Sequence, residues 1–475
     1  MKCEQILCGV TRPTGLRLVA TPTGEELFLA ELGSDEADDI LAATATNPLI
    51  DVPTDAIVAF LHNVGKNWKS HEYARRRLYI RHLCRYLGYT EREATVEADW
   101  LALTLCSHFR IHSLLEAELG DRYALDRWVP HYESEVRAWP RGRVLHYLAG
   151  NLPVVAVTSI LRGILTKNVN IVKVPSGDPI TTLALAASFA DVDPDHPVSR
   201  SLSVLWWESG RSKAGLEIAQ SVDTIVAWGG EDTMRWVASA AGPETDVTWF
   251  GPRRSIALID ATHSAREAAR RLAHDVAFYQ QRACFSVHQA FVVGDVPHFS
   301  ELVGEQLALY AELLPTSSPT IDEAAAQSMA LLEARFAGAA VREPSGDREW
   351  AIVEAAHADS TAPHPLGRTL YLSERASASD LPDLGERVQT VAIYPFDQAS
   401  TVRDALGRAG VHRVVELGMT NLFRIGSTHD SVYPLTRLVR IVSCDLPSAM
   451  HASGVTTPID QMRILEDDSF YELIP

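Results

Sequence analysis

Two hydrophobic periodicities divide the chain. Between residues 54 and 120 apolar side chains recur every three or four positions, beginning with Ile57, Phe60, Leu61 and Val64, the spacing of one buried helix face. This predicts two or three helices, with the Thr54 hydroxyl capping the first, which Asp55 opens. The run Arg75, Arg76, Arg77 within it reads as a solvated helix face rather than an anion patch. After about Arg143 short apolar runs alternate with longer amphipathic stretches: VLHYLAG, PVVAVTSILRGIL, NVNIVKVP, TTLALAASFA and SLSVLWW. The alternation continues through DTIVAWGG, a helix starting near Glu231, SIALID, and a helix over 265–278. That is strand-helix-strand grammar, and it predicts an α/β fold whose mostly parallel sheet is covered on both faces, with ligands at the carboxyl ends of the strands. The first 50 residues read as short strands and turns forming an edge element. Residues 314–390 are rich in Ala, Ser, Pro and acidic side chains, have weak periodicity, and carry no assignable function. Near the end, YPLTRLVRIVSCDLP contains an apolar run suited to pairing with another subunit's sheet edge.

Composition narrows the classes. With 475 residues, 46% of them hydrophobic, the chain is long enough for two or three globular domains. A formal charge of −18 argues against a nucleic-acid binder, whose phosphate contacts need excess Lys and Arg. The most apolar stretch, 152–165, is too short for a membrane span and is interrupted by Arg162. Glu4 stands where a signal peptide would begin its apolar region, so the expectation is a cytoplasmic protein. Cys3, Cys8, Cys84, Cys106, Cys284 and Cys444 are too scattered for a disulfide framework and lack the close pairs of a zinc site, so no metal is expected.

Four segments carry candidate chemistry. In FYQQRACFSVHQAFVV, Cys284 follows a helix in a loop beside Gln280, Gln281 and Arg282, where Arg282 would favour a thiolate. A free cysteine is more often a buried packing residue, and on the residue alone both readings stand. His288 fits strand packing better than a base. In HYLAGNLPVV, Asn151 precedes a helix opened by Pro153; its amide suits either an oxyanion or an ordinary cap. In NVNIVKVPSGDP, Lys173 ends a buried strand, placed for a nucleotide phosphate or ribose unless simply solvated. In DTIVAWGGEDT, Gly229 and Gly230 end a strand before a helix, which lets backbone approach a pyrophosphate, although the pair is not a GxGxxG fingerprint.

In order and spacing these pieces resemble the aldehyde dehydrogenase superfamily, and within it the LuxC-type acyl-CoA reductases. LAGN, the lysine followed by SGDP, QQRAC and the late RIGSTHDSVYPLTRLVR carry the likeness, which covers roughly residues 126–445. It implies an aldehyde-dehydrogenase-like α/β fold: a Rossmann-type nucleotide-binding domain over 142–250 with residues 1–124 as its helical part, a catalytic domain over 251–440, and a bridging or oligomerisation element from 125–141 and 441–475. It also implies Cys284 as nucleophile, Asn151 as oxyanion donor, and Lys173, Ser176, Gly229 and Gly230 at the cofactor. Two departures matter. Trp249 replaces the glutamate with which ordinary aldehyde dehydrogenases activate water, which suits a reductase of acyl groups. Ser431 stands where a glycine is expected after Asp430, leaving roles for His429 and Asp430 open.

The resemblance implies the following chemistry. The Cys284 thiolate attacks an acyl thioester, the oxyanion rests on the Asn151 amide and the Cys284 backbone N–H, and the departing thiol leaves an acyl-enzyme. Hydride from NADPH, preferred over NADH because Ser176 replaces a phosphate-repelling glutamate, then yields an aldehyde. The same residues permit CoA-acylating oxidation of an aldehyde, and a non-catalytic scaffold within an acyl-transfer complex is the remaining alternative. Implied partners are acyl-CoA or another acyl thioester, an acyl carrier protein or acyl-protein synthetase, and further copies of the chain.

Overall fold

The computed structural model describes residues 1–445 except 133, 318, 347–348, 355–363, 378–380, 382–383 and 385–386. The part of the expected bridging element beyond residue 445 therefore lies outside the described residues. Two seven-stranded sheets organise the rest. In the first, strands Asp246–Phe250, Thr224–Trp228, Arg143–Tyr147, Val169–Lys173 and Leu202–Leu205 lie side by side and parallel, and the short strands Gln5–Leu7 and Val10–Arg12 extend the edge in antiparallel fashion. The chain starts at the central Arg143–Tyr147, proceeds outward through Val169–Lys173, and returns to the other side at Thr224–Trp228. This reversal opens a crevice between the loops that follow Tyr147 and Trp228.

The second sheet orders Ala340–Arg342, Ala351–Glu354, Thr369–Glu374, Val287–Val293, Arg254–Asp260, Val388–Tyr394 and Arg413–Glu416; only the first of these is antiparallel. The α/β expectation holds, and strands and helices fall on the segments that periodicity marked, including helices Glu231–Ala240 and Ala261–Ala277.

The apolar helix Pro153–Leu165 shows how the first sheet is covered. Ile160, Ile164 and Leu165 are fully buried on it, each contributing about 1.5–3 kcal/mol relative to exposure. Gly163 lets the helix come close, since a Cβ there would meet Asn170 Oδ1 at 1.9 Å. Beneath it His146 is fully buried, bonded to Ser159 Oγ at 2.8 Å and Asn170 Oδ1 at 3.0 Å, and burial pushes its pKa down to about 4. His146 is thus a neutral core residue.

Several expectations change. Four helices, not two or three, fill the segment 54–120: Thr54–Lys69, Ala74–Leu87, Glu91–Cys106 and His108–Leu119. Thr54 caps nothing; it lies inside its helix behind Pro53, and its backbone N–H is held by the Asp126 carboxylate at 3.1 Å. Arg76 is buried, not solvated, donating to Trp68 O and Asp99 at 3.0 and 2.6 Å. The late apolar strand, Val439–Asp445, pairs antiparallel with Ser134–Pro140 of the same chain, so its inner edge is already occupied. Among the described residues no helix is long and apolar enough to cross a membrane.

Candidate active site

The crevice of the first sheet opens into a cleft of about 390 Å3 whose opposite side is the second sheet. Ala149, Asn151, Trp228, Gly229 and Gly230 come from the carboxyl ends of the first sheet. Cys284, Phe285 and His288 come from the amino end of strand Val287–Val293, and Gly251 to Arg253, Gln281 to Ala283 and His429 with Asp430 also line it, whereas Lys173 and Ser176 do not.

On the first-sheet side, Asn151 is not a helix cap. Leu152 occupies the cap position without a side-chain bond, while Asn151 Nδ2 donates to the Arg282 carbonyl at 2.9 Å. That bond ties the strand-end loop to the cysteine loop and leaves the second N–H of the amide for another acceptor. Lys173 is not solvated. It is 3% exposed, its Nζ donates to Ser209 Oγ at 2.9 Å and lies 4.9 Å over the Tyr147 ring. No carboxylate pairs with it among the described residues, and burial pushes its pKa down to about 8. A buried ammonium without an anion has unused capacity for one. Ser176 is exposed and its Oγ accepts the Trp206 indole N–H at 3.2 Å, which leaves the hydroxyl proton to donate. Gly229 packs on Thr233, whose Cβ would lie 2.9 Å from a Cβ added at Gly229. Gly230 caps the helix Glu231–Ala240, whose first turn carries Glu231 and Asp232. Those carboxylates oppose an anion at this helix end, so the glycines provide space rather than charge.

On the second-sheet side the cysteine loop is strained and heavily braced. Tyr279, Gln280 and Gln281 are consecutive left-handed residues, with φ of 55°, 51° and 61°, none of them glycine; such residues persist only where surroundings over-determine them. Gln281 Nε2 donates to Val287 O and Thr369 O at 2.8 and 2.9 Å, Gln280 Nε2 to Glu93 at 2.6 Å, and His288 Nε2 to Gln281 O at 3.1 Å. His288, stacked 4.1 Å from His364, is therefore a brace, and burial keeps it neutral with a pKa of about 4.

Cys284 is partly exposed to the cleft, and its carbonyl accepts from Ser255 Oγ at 2.7 Å. Burial pushes its thiol up to about 11 and the Asp430 charge adds to this, while Gln389, Arg413 and its own backbone N–H act the other way. Arg282, expected to favour the thiolate, instead pairs with Glu323 at 2.9 Å; the cation that acts on the sulfur is Arg413. Gln389 Nε2 lies 3.2 Å from Cys284 Sγ and 2.6 Å from Asp430 Oδ1. Arg253 and His412 approach Asp430 at 3.7 and 3.6 Å. Reading of the sequence missed Gln389, Arg413 and His412; the one signal was a glutamine inside the mostly apolar run VQTVAIY. His429 sits among Trp228, Phe250 and Phe423 with ring centres 4.9 to 5.1 Å away, a neutral packing ring. Asp430 and Ser431 have φ of 48° and 65°, the left-handed geometry for which glycine is the usual residue.

Trp249 is 41% exposed and does not line the cleft, although the next four residues do. Asp430 is the cleft's one carboxylate among the described lining residues.

This arrangement of two facing sheets with a loop thiol between them is the aldehyde dehydrogenase fold. An NAD-dependent aldehyde dehydrogenase from Sinorhizobium meliloti matches with TM-score 0.74 at 14% identity, covering 94% of this chain and 95% of that one. An NADP-dependent glyceraldehyde-3-phosphate dehydrogenase from Bacillus halodurans matches at 0.73 and 14%, covering 94% and 100%. The chain belongs to the acyl-CoA reductase (LuxC) family, whose model matches residues 49–441. It is similar to the long-chain acyl-protein thioester reductases of Photorhabdus laumondii, 44% identical over 88% of each chain, and Vibrio harveyi, 42% identical over 90% of each.

Proposed function

We propose that the chain reduces an acyl thioester to an aldehyde through an acyl-cysteine formed on Cys284. The observation that supports this best is that the Cys284 thiol and the Asn151 amide line one cleft, which begins at the first sheet's switch point, with Asn151 bonded to the Arg282 carbonyl of the cysteine loop. The thiolate attacks the thioester carbonyl, and the free N–H of Asn151 and the Cys284 backbone N–H receive the oxyanion. The acyl donor is a thioester of coenzyme A, as the family's description names it, or of a protein thiol, as the relatives' names have it.

The first-sheet wall fits a nicotinamide dinucleotide: the buried, anion-free Lys173 suits its ribose and phosphates, and Gly229 and Gly230 leave room for its backbone approach. When bound, that cofactor supplies a hydride to the acyl carbon. Ser176, with its proton free and no glutamate near in sequence, suits the 2′-phosphate of NADPH. The exposed Trp249 provides no base for water, and Asp430 is engaged by Gln389, so the acyl-enzyme awaits reduction rather than hydrolysis. On this reading residues 142–250 with 1–124 bind the nucleotide, 251–440 carry the catalytic loop, and 125–141 with 441–475 bridge copies of the chain.

The test is turnover of acyl-CoA thioesters with NADPH, following dinucleotide oxidation and trapped aldehyde together. One aldehyde and one free thiol per NADPH oxidised is the expected result. Release of carboxylic acid without dinucleotide oxidation overturns the proposal.

A further inference from the structure

A side chain hydrogen-bonded to the Cys284 sulfur belongs neither to the cysteine loop nor to the first-sheet wall. It is Gln389, 1% exposed, second in strand Val388–Tyr394, with its backbone carbonyl fixed by the His412 N–H at 3.1 Å. We propose that Gln389 and Asp430 act as a positioning pair: Asp430 orients the Gln389 amide so that an N–H, never the carbonyl, faces the Cys284 sulfur and stabilises its thiolate.

The argument rests on what each atom is able to do. An amide presents two donors at one end and an acceptor at the other, and the two ends are nearly equal in size. An ionised carboxylate only accepts. With Nε2 at 2.6 Å from Asp430 Oδ1 and 3.2 Å from Sγ, each of its two protons has a partner. Turning the amide over would set its oxygen against the carboxylate oxygen and against the sulfur, so Asp430 selects the orientation. The cost is visible: Gln389 Oε1 is left buried without a hydrogen-bond partner.

A donor to sulfur is strongest when the sulfur is an anion, weaker to a thiol, and weaker still to a thioester. The contact therefore favours the states at the two ends of the cycle, when the thiolate attacks and when it departs from the reduced acyl group. Asp430 brings a charge that opposes the thiolate. Arg253 at 3.7 Å and His412 at 3.6 Å lie against that charge, and Arg413 acts from the sulfur side. The other titratable groups on the cleft lining are His288 and His429, both held neutral by burial, and Arg282, paired with Glu323.

The purpose of the pair in turnover rests on the acyl-cysteine reading, but its effect on the thiol is measurable with no acyl group present. The experiment follows alkylation of the Cys284 peptide by iodoacetamide as a function of pH, in the full chain, for wild type, Gln389→Leu and Asp430→Asn. Loss of the donor in Gln389→Leu is expected to slow alkylation near neutral pH about tenfold and move the profile to higher pH. Asp430→Asn keeps an acceptor for the amide but removes the charge, so its profile is expected to move to lower pH. The opposite signs are the signature of the pair. A Gln389→Leu profile that superimposes on wild type overturns the proposal. Gln389→Met, of similar length but without a donor, carries the test if Gln389→Leu does not fold, and a profile that superimposes on wild type there also overturns it. Failure of wild-type Cys284 to take an acyl group would remove the acyl-cysteine reading while leaving these alkylation shifts intact.

Discussion

On the first-sheet side, Asn151, Ser176 and Gly229 with Gly230 stand past the carboxyl ends of parallel strands, in loops punctuated by Gly, Pro or Ser, and Lys173 closes its strand; of these Asn151, Gly229 and Gly230 line the cleft. On the second-sheet side, Cys284, Gln389 and Arg413 stand at the amino ends of three different strands, and Asp430 reaches them from a left-handed turn beyond the last. The first wall is thus a set of turns local in sequence, with Asn151 and Lys173 further tied to Arg282 O and Ser209 Oγ. The second is a convergence of side chains far apart in sequence, with Gln389 hydrogen-bonded to Cys284 and Asp430 and Arg413 anchored on the carbonyls of Met419, Thr420 and Leu422. On the proposed reading a wall of the first kind tolerates loss of one member, because each would meet the dinucleotide separately. A wall of the second kind responds as a unit, because moving Gln389 disturbs Cys284 and Asp430 together.

Substitutions separate the two behaviours. Asn151→Ala joins them, since its amide both faces the cleft and holds the Arg282 carbonyl; it is expected to lower kcat about 100- to 1000-fold with little change in dinucleotide affinity, measured by steady-state kinetics beside a binding titration. Lys173→Met touches the first wall alone: about tenfold weaker dinucleotide binding, unchanged alkylation of Cys284, and a higher melting temperature at pH 7, because a buried unpaired ammonium is removed. The pH dependence of wild type follows from the same group. Its pKa is lowered to about 8 in the folded chain, so the unfolded chain binds the extra proton above that value and this group makes stability rise with pH from about 8 toward the ordinary lysine range. Dinucleotide affinity runs the other way, falling as pH rises through about 8 and the ammonium is lost. Calorimetry and fluorescence titration across that window check both signs. The smallest effect is expected for Glu323→Gln, which frees Arg282 from a partly exposed ion pair and costs about 0.2–1 kcal/mol of stability with a few-fold change in kcat.

The same difference explains what was legible in the sequence. The α/β class and the strand positions follow from periodicity and turn residues, which are local, while the first-wall residues stand out only through the resemblance to a family's motifs. Cys284 is a candidate because its segment is also a local motif. Gln389 falls within 314–390, where periodicity is weak and no function was assigned, and only the fold brings it to the sulfur. Arg282 misled for the converse reason: its neighbourhood in sequence suggested a role at the thiol, whereas Glu323 takes its guanidinium. Thr54 misled similarly, since Pro53 rather than a hydroxyl precedes the helix. The buried state of Lys173 was equally out of reach, because Ser209 and Tyr147 arrive from neighbouring strands.

The central claim is that Cys284 carries the acyl group. Intact-protein mass after incubation with acyl-CoA thioesters of several chain lengths, without and then with NADPH, tests it most directly. The account predicts one acyl adduct on wild type, none on Cys284→Ala, and loss of the adduct with release of aldehyde when NADPH is added. An adduct of equal yield on Cys284→Ala, or aldehyde formed by that variant, would contradict it.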